Sequence, residues 1–130
     1  MRGRSESERV KKVGTFTGQS LKGPKGSTEF LILPDDAEEK IPDPANPYKN
    51  KPLSRSAKER CQAVALKFGK GRVVVLGEAA MLSAQVTPDG HAFGMNVKGI
   101  DNQQFALNVI HWLTGLLDAS KPGEPAKKKP

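Results

Sequence analysis

The stretch CQAVALKFGKGRVVVL, residues 61–76, decides the fold class of this chain. Its first half alternates in character as a half-buried β-strand does. One side is formed by Val64, Leu66 and Phe68, and the other by Ala63, Ala65 and Lys67. Glycines at positions 69 and 71 suit a turn, and residues 72–76 form an unbroken apolar run typical of a strand covered on both faces. The stretch predicts a β-hairpin that leads into a central strand.

A helix is predicted near the C-terminal end, beginning at Asp101. This aspartate can accept the amide of Gln104 while the glutamine reaches back, as in a capping box. At about 100° per residue, one wide apolar arc contains Phe105, Ala106, Val109, Ile110, Trp112, Leu113, Leu116 and Leu117, opposite Gln104, Asn108, His111, Thr114 and Asp118. We therefore expect a closing helix with one broad buried face, anchored by Trp112.

The other segments give weaker signals. Short strands are predicted at 13–17 (VGTFT) and 28–33 (TEFLIL). Residues 34–59 hold five of the ten prolines and many charges without periodicity, which predicts a long loop or linker. Residues 78–85 (EAAMLSAQ) contain helix-forming residues for about two turns, and TPDG at 87–90 is a turn signal.

The formal charge of +7 is concentrated at the two ends of the chain. Residues 1–12 hold five basic and two acidic residues, and residues 120–130 hold four basic and one acidic, so each end carries +3. Both are predicted to be disordered basic tails that flank one α/β domain at 13–119. Because neither tail has interleaved aromatic residues, nucleic acid is not an expected partner, and any such binding would be weak.

Several protein classes are excluded by composition. No apolar run approaches the roughly 18 to 20 residues that span a bilayer, and MRGRSESERVKK lacks the apolar stretch of a secretory signal. We expect a cytoplasmic protein if Met1 is the true start, and an exported one if an upstream signal segment is missing. The single cysteine, Cys61, rules out an internal disulfide and a thiolate metal cluster. No cofactor and no metal are expected.

Two stretches carry a resemblance to a known family: FGKGRVVVLGEAAMLSAQ (68–85) and GMNVKGIDNQQFALNVIHWLTGLL (94–117), with FTGQSL (16–21) as a looser third. They resemble the C-terminal part of uncharacterised bacterial domains related to the class I glutamine-amidotransferase-like superfamily. The residues that match its hairpin, acidic motif and closing helix are Gly71, Glu78, Asp101, Asn102, Asn108 and Trp112. The resemblance implies a flavodoxin-like three-layer sheet that is incomplete here, since complete members are considerably longer.

The resemblance does not extend to the catalytic triad. Amidotransferases carry a nucleophilic cysteine on a sharp strand-to-helix turn and a His-x-Glu pair after a late strand. Here Cys61 lies at the start of a predicted strand, and the residue two places before Glu78 is Leu76. No catalytic residue is therefore assigned.

Four residues are candidates for binding a small polar ligand such as a sugar. Glu78 follows the predicted central strand at its carboxyl end, where open α/β sheets bind ligands. Gln85, Asn96 and Asn102 lie in segments expected to converge on the same edge. The alternative is structural, because Glu78 would also stabilise the first turn of a following helix.

The remaining chemistry-bearing residues are predicted to be structural. His91 has no second metal ligand nearby, His111 lies on the polar face of the helix, and Cys61 is a small buried residue. The GKG turn lacks the phosphate-loop pattern, and Ser20 has no neighbouring base in sequence.

These observations favour a non-catalytic amidotransferase-like binding or interaction module, for a small polar ligand or a partner protein. One alternative is a hydrolase-type enzyme fragment whose catalytic groups lie on a missing segment. Another is a weak nucleic-acid binder that acts through the basic tails.

Overall fold

The computed structural model describes residues 3–45 and 52–118. The chain divides into two compact units. The sheet unit is formed by the described part of residues 15–80 and contains two antiparallel sheets. The helix unit is formed by residues 3–14 and 81–118 and contains the single α-helix of the described chain. The predicted α/β class is confirmed at this level.

The sheet unit contains five strands: β1 (Thr28–Ile32), β2 (Glu38–Ile41), β3 (Leu53–Ser56), β4 (Cys61–Phe68) and β5 (Gly71–Leu76). The larger sheet has the order β1-β4-β5 and is antiparallel throughout. β4 and β5 form the predicted hairpin. Phe68 pairs with Gly71 across a two-residue turn in which Gly69 adopts a φ of +56°.

The central strand of this sheet is β4, and the prediction that the run at 72–76 is central was wrong. β5 lies at the edge of the strand order, and its Val73 and Val75 are exposed. On β4 the small side chains are buried, while Phe68 at the hairpin end is 76% exposed. An apolar run shows that a strand is favoured, but not whether a neighbour lies on each side of it.

A second sheet occupies the stretch 34–59, which was predicted to be a long loop or linker. β2 and β3 pair there in antiparallel register, with Glu39 opposite Arg55. The Glu38 carboxylate accepts a hydrogen bond from the Ser54 hydroxyl at 2.6 Å. Because ionic and polar pairs stabilise these strands, the apolar periodicity that reveals most strands is missing.

Two other predicted elements are absent or shorter in the structure. Residues 13–17 form no strand. The predicted helix at 78–85 shrinks to one 3-10 turn, Ala80–Leu82, after which the chain folds back through a bridge between Val86 and Ala92. The predicted turn at 87–90 lies inside this fold-back and is confirmed by a 2.9 Å bond from the Gly90 amide to the Thr87 carbonyl.

The closing helix α1 spans Asn102–Leu113, close to its predicted start. Its buried face differs from the predicted arc. Asn108, placed on the polar side, is fully buried, whereas Ile110 is 55% exposed and Trp112 only half-buried. The Asn108 side-chain amide donates to the carbonyl of Glu8 at 2.8 Å, so a hydrogen-bond partner far away in sequence makes burial of this polar residue favourable.

The predicted capping box at Asp101 was wrong. No side-chain capping bond is present, and Gln104 donates instead to the Asn108 side chain at 2.9 Å. The Asp101 carboxylate accepts the amides of Lys11 and Lys12 at 2.7 and 2.9 Å. Within the helix unit, Lys11 and Lys12 are thus bonded to the residue that precedes helix α1, whereas a disordered tail was predicted at 1–12. The tail predicted at 120–130 lies outside the described residues.

Candidate functional site

A cleft of about 670 Å³ opens within the sheet unit. One wall is the segment 15–20, another is the stretch 37–42 with Arg55 of β3, and the lining is completed by Leu33, Ala57, Arg60 and Gln62. This volume is in the range of small-molecule sites, which are about 300–1,000 Å³. The lining combines apolar residues with polar and charged side chains, among them Ser20, Glu39, Arg55 and Arg60, so the cleft can hold a ligand with polar groups.

Four side chains form a hydrogen-bonded network in this cleft. The Ser20 hydroxyl donates to Glu39 Oε1 and accepts a hydrogen bond from Arg60 Nε. Arg60 Nη2 also donates to the Ser20 carbonyl at 3.1 Å. Arg55 binds the other oxygen of Glu39, with its Nε at 2.8 Å. The network therefore joins three segments of the sheet unit around one carboxylate.

The Glu39 carboxylate is held in its charged form by these partners. The hydrogen bond from Ser20, followed by that from Arg55, lowers the pKa of Glu39 below its ordinary value. The neighbouring Glu38 carboxylate is paired with Lys40 at 2.5 Å, and this hydrogen bond likewise lowers the pKa of Glu38. Both acidic groups of the lining are thus engaged by cations.

Glu78, the first predicted site residue, supports one wall of the cleft from behind. Its Oε2 accepts the backbone amides of Phe16 and Thr17 at 2.8 and 2.7 Å. The Glu78 residue is only 8% exposed, and its Oε1 has no hydrogen-bond partner in the described part of the chain. Gly18 has a φ of +124°, and a Cβ atom at this position would lie only 2.6 Å from the Glu78 Cβ. The close approach of this wall to Glu78 therefore requires glycine at position 18. Glu78 therefore shapes the wall without itself lining the cleft.

The other three predicted site residues belong to the helix unit. The Asn96 side chain donates to the Gln85 carbonyl at 3.4 Å, so the structure brings these two together. Asn102 is buried, and its side-chain amide donates to the carbonyls of Gly14 and Met81 at 2.8 and 3.1 Å. None of the three lines the cleft of the sheet unit, and their ligand-binding role stays a prediction.

Cys61 and His91, two of the residues that were predicted to be structural, each have a side-chain partner. Cys61 is fully buried, and its thiol donates to the Leu21 carbonyl at 3.4 Å. His91 lies 3.3 Å from Asp89 on an exposed turn. Within residues 3–45 and 52–118, no group of three or more His, Cys, Asp or Glu side chains is arranged to hold a metal ion. In the same residues, no helix has the length and apolar character that crossing a membrane requires.

Sequence reasoning missed most of the cleft residues. Glu39 and Arg55 lie in the stretch that was interpreted as a loop, and Arg60 follows it directly. Ser20 was considered, but its carboxylate partner is 19 residues away in sequence. The only available signal was the charged pattern of Glu38, Glu39 and Lys40 against Ser54 and Arg55, which could have suggested cross-strand pairs.

Comparison of the chain with protein families, with curated proteins and with solved structures finds no match. The geometry of the cleft is therefore the basis for a function.

Proposed function

We propose that this chain is a non-catalytic binding module that holds a small polar ligand in the cleft of the sheet unit. The observation that carries the proposal is the cleft itself, with a volume of about 670 Å³ and two arginines and a serine already oriented in its lining. Side chains fixed by hydrogen bonds lose little conformational entropy when a ligand binds. Such preorganisation supports recognition of one class of ligand.

The electrostatics of the cleft favour binding over hydrolysis. A serine nucleophile needs a base that can take its proton. Glu39 accepts the Ser20 proton in a hydrogen bond, but its lowered pKa makes it a weak base near neutral pH. The guanidinium of Arg60 also donates a hydrogen bond to the Ser20 hydroxyl oxygen. One lone pair of that oxygen is therefore engaged and is not available for nucleophilic attack.

The hydrolase alternative is nevertheless favoured by one specific observation, the Ser20–Glu39 hydrogen bond. Treating the protein with a serine-reactive fluorophosphonate and weighing it by mass spectrometry separates the two functions. A binding module is expected to stay unlabelled. Stoichiometric labelling of Ser20 that is abolished in Ser20→Ala would replace the binding proposal with the enzymatic one.

A relationship to the amidotransferase-like superfamily, with its flavodoxin-like arrangement, is also proposed. It is supported by the hairpin that leads to Gly77 and Glu78 and by the closing helix with Asn108 and Trp112. The antiparallel pairing of both described sheets does not correspond to the parallel sheet that a flavodoxin-like fold requires. Parallel strand pairs detected by NMR spectroscopy of the full chain would support this relationship.

The binding proposal is tested by screening sugars, nucleotides and amino acids for an increase in melting temperature. Thr17 lines the cleft and is exposed, so Thr17→Trp is expected to fill the cleft and abolish the shift. Thr28 is exposed on β1 and does not line the cleft, so Thr28→Trp is the matched control. A hit that survives in Thr17→Trp, or no hit at all, would contradict the proposal.

The same screen tests whether Glu78 supports the wall of the cleft. Because its carboxylate holds the amides of Phe16 and Thr17, we expect Glu78→Gln to loosen the wall and to weaken any hit as well as the fold. The exposed Glu59 makes no side-chain hydrogen bond among the described residues, so Glu59→Gln provides the control. Unchanged binding in Glu78→Gln would remove Glu78 from the site.

A further inference from the structure

The two arginines of the cleft use the same edge of their guanidinium groups for internal bonds. Arg55 directs Nε and Nη2 to Glu39, and Arg60 directs Nε and Nη2 to Ser20. Neither Nη1 group makes a hydrogen bond within residues 3–45 and 52–118. The Arg55 side chain is 58% exposed and that of Arg60 30% exposed. Each arginine is therefore fixed along one edge, and its Nη1 donors have no hydrogen-bond partner among the described residues.

The charges of the cleft favour an anion. Glu38 and Lys40 neutralise each other across 2.5 Å. Glu39 faces two guanidinium groups, Arg55 in direct hydrogen bonds and Arg60 with its Nε at 3.7 Å, which leaves one positive charge uncompensated. The oxygens of Glu39 already accept from Ser20 and Arg55, so a cationic ligand would have to compete with these donors.

We propose that the cleft recognises its ligand through an anionic oxygen group, a carboxylate or a phosphate, bound by Arg55 and Arg60. This inference rests on the proposed function and specifies the chemical class of the ligand. Guanidinium groups present paired donors that match the oxygens of both anions. Fixing one edge of each arginine on Glu39 and Ser20 orients the remaining donors before the ligand arrives. Glu39 acts as a positioning residue that also limits the positive charge.

The experiment measures dissociation constants by calorimetry at low salt, with succinate and inorganic phosphate as anionic probes and glucose as the neutral one. We expect one or both anions to bind, with affinity that falls as sodium chloride is added. The anion that binds more tightly shows whether the anionic group of the ligand is a carboxylate or a phosphate. Arg55→Gln and Arg60→Gln should each weaken that anion by about tenfold or more, as expected for the loss of a charged hydrogen bond.

Two further variants distinguish specific binding of the anion from the effect of net charge and from the effect of stability. Lys58 pairs with Asp35 at 3.6 Å and does not line the cleft, so Lys58→Gln removes one positive charge and should leave anion binding unchanged. Glu39→Gln removes the competing carboxylate and should tighten anion binding while lowering the melting temperature. A gain in affinity with a loss of stability is not expected of a purely structural residue.

The outcomes distinguish the inference from the proposed function. If glucose or another neutral ligand binds in a Thr17-dependent manner while succinate and phosphate do not, the inference fails and the proposed function stands. If anions bind equally well to Lys58→Gln, Arg55→Gln and Arg60→Gln, attraction is non-specific and the inference also fails. If no probe and no member of the screen binds, both fail. Because Arg60 contributes to the network around Ser20, Arg60→Gln can disturb the fold. If it does, Arg55→Gln tests the inference, since Arg55 is the more exposed of the two residues.

Discussion

Asn102 uses its whole side chain to join segments of the helix unit. Its oxygen accepts the Gly14 amide at 2.8 Å, and its nitrogen donates to the carbonyls of Gly14 and Met81. The residue is 1% exposed. A buried amide with all of these bonds made fixes one arrangement of the chain, because every alternative leaves polar groups unpaired.

We therefore expect Asn102→Ala to lower the free energy of unfolding by about 1–3 kcal/mol, the cost of leaving buried backbone groups unsatisfied. Urea denaturation monitored by circular dichroism measures this change. Gln103 is the next residue on the same helix and is exposed, so Gln103→Ala should change the free energy little. Equal effects of the two substitutions would contradict the role assigned to Asn102.

Asp101 should make stability depend on pH. The amide of Lys12, followed by that of Lys11, lowers the pKa of the Asp101 carboxyl below its ordinary value. A carboxyl whose pKa is lowered by folding adds stability above its unfolded pKa of about 3.9, and this stability is lost as the pH falls through the folded pKa. The melting temperatures of wild type and Asp101→Asn should differ most near neutral pH and converge as the pH falls through the lowered pKa of Asp101 in the folded chain. A constant difference across this range would show that the charge of Asp101 is not responsible.

Among the elements of the fold, helix α1 buries a different face from the one that its apolar residues predict. Phe105 and Val109 are buried together with Asn102 and Asn108, while Ile110 is exposed. Apolar residues surround much of the helix, so periodicity alone allows more than one buried face. The two asparagines decide among them, since each has a backbone partner only when it faces inward.

This orientation predicts unequal effects of truncation on the same helix. Phe105→Ala should lower the free energy of unfolding by about 3–5 kcal/mol, as expected when a large buried side chain leaves a cavity. Ile110→Ala should cost less than about 1 kcal/mol, because little apolar surface is lost from the interior. Thermal and urea unfolding of both variants measures the difference. A larger effect at Ile110 would restore the broad apolar arc predicted from the sequence.

For the whole molecule, the two ends of the chain carry equal charge, and we expect them to differ in their effect on stability. Residues 3–12 contribute the Glu8 carbonyl to Asn108 and the amides of Lys11 and Lys12 to Asp101. Residues 120–130 carry the same +3 and are predicted from their composition to be dispensable.

Removal of residues 1–12 is therefore expected to lower the melting temperature by several degrees, about 4–8 °C for each kcal/mol lost in a domain of this size. Removal of residues 120–130 is the charge-matched control and should leave it nearly unchanged. Differential scanning calorimetry of both truncated chains provides the comparison. A similar small effect at both ends would favour the disordered N-terminal tail that the composition predicts.

The sequence by itself determined the elements whose evidence is local. The β4–β5 hairpin, the strand near 28–32, the turn at 87–90 and the start of the closing helix are all predicted correctly. Alternation, glycines at a turn and a proline two residues before a glycine are signals between residues close together in the chain. Of the four predicted ligand-binding residues, Glu78 has backbone partners at Phe16 and Thr17, and Asn102 has one at Gly14.

Only the tertiary structure decided the strand order, the buried face of the helix and the position of the cleft. The bonds responsible join residues far apart in sequence, such as Glu78 with Thr17, Asn108 with Glu8 and Ser20 with Glu39. The energy of a polar contact depends on whether its partner is present and on how far water is excluded. A single polar residue in a sequence does not reveal its partner, so the network of Arg55 and Arg60 becomes visible only when the chain is folded.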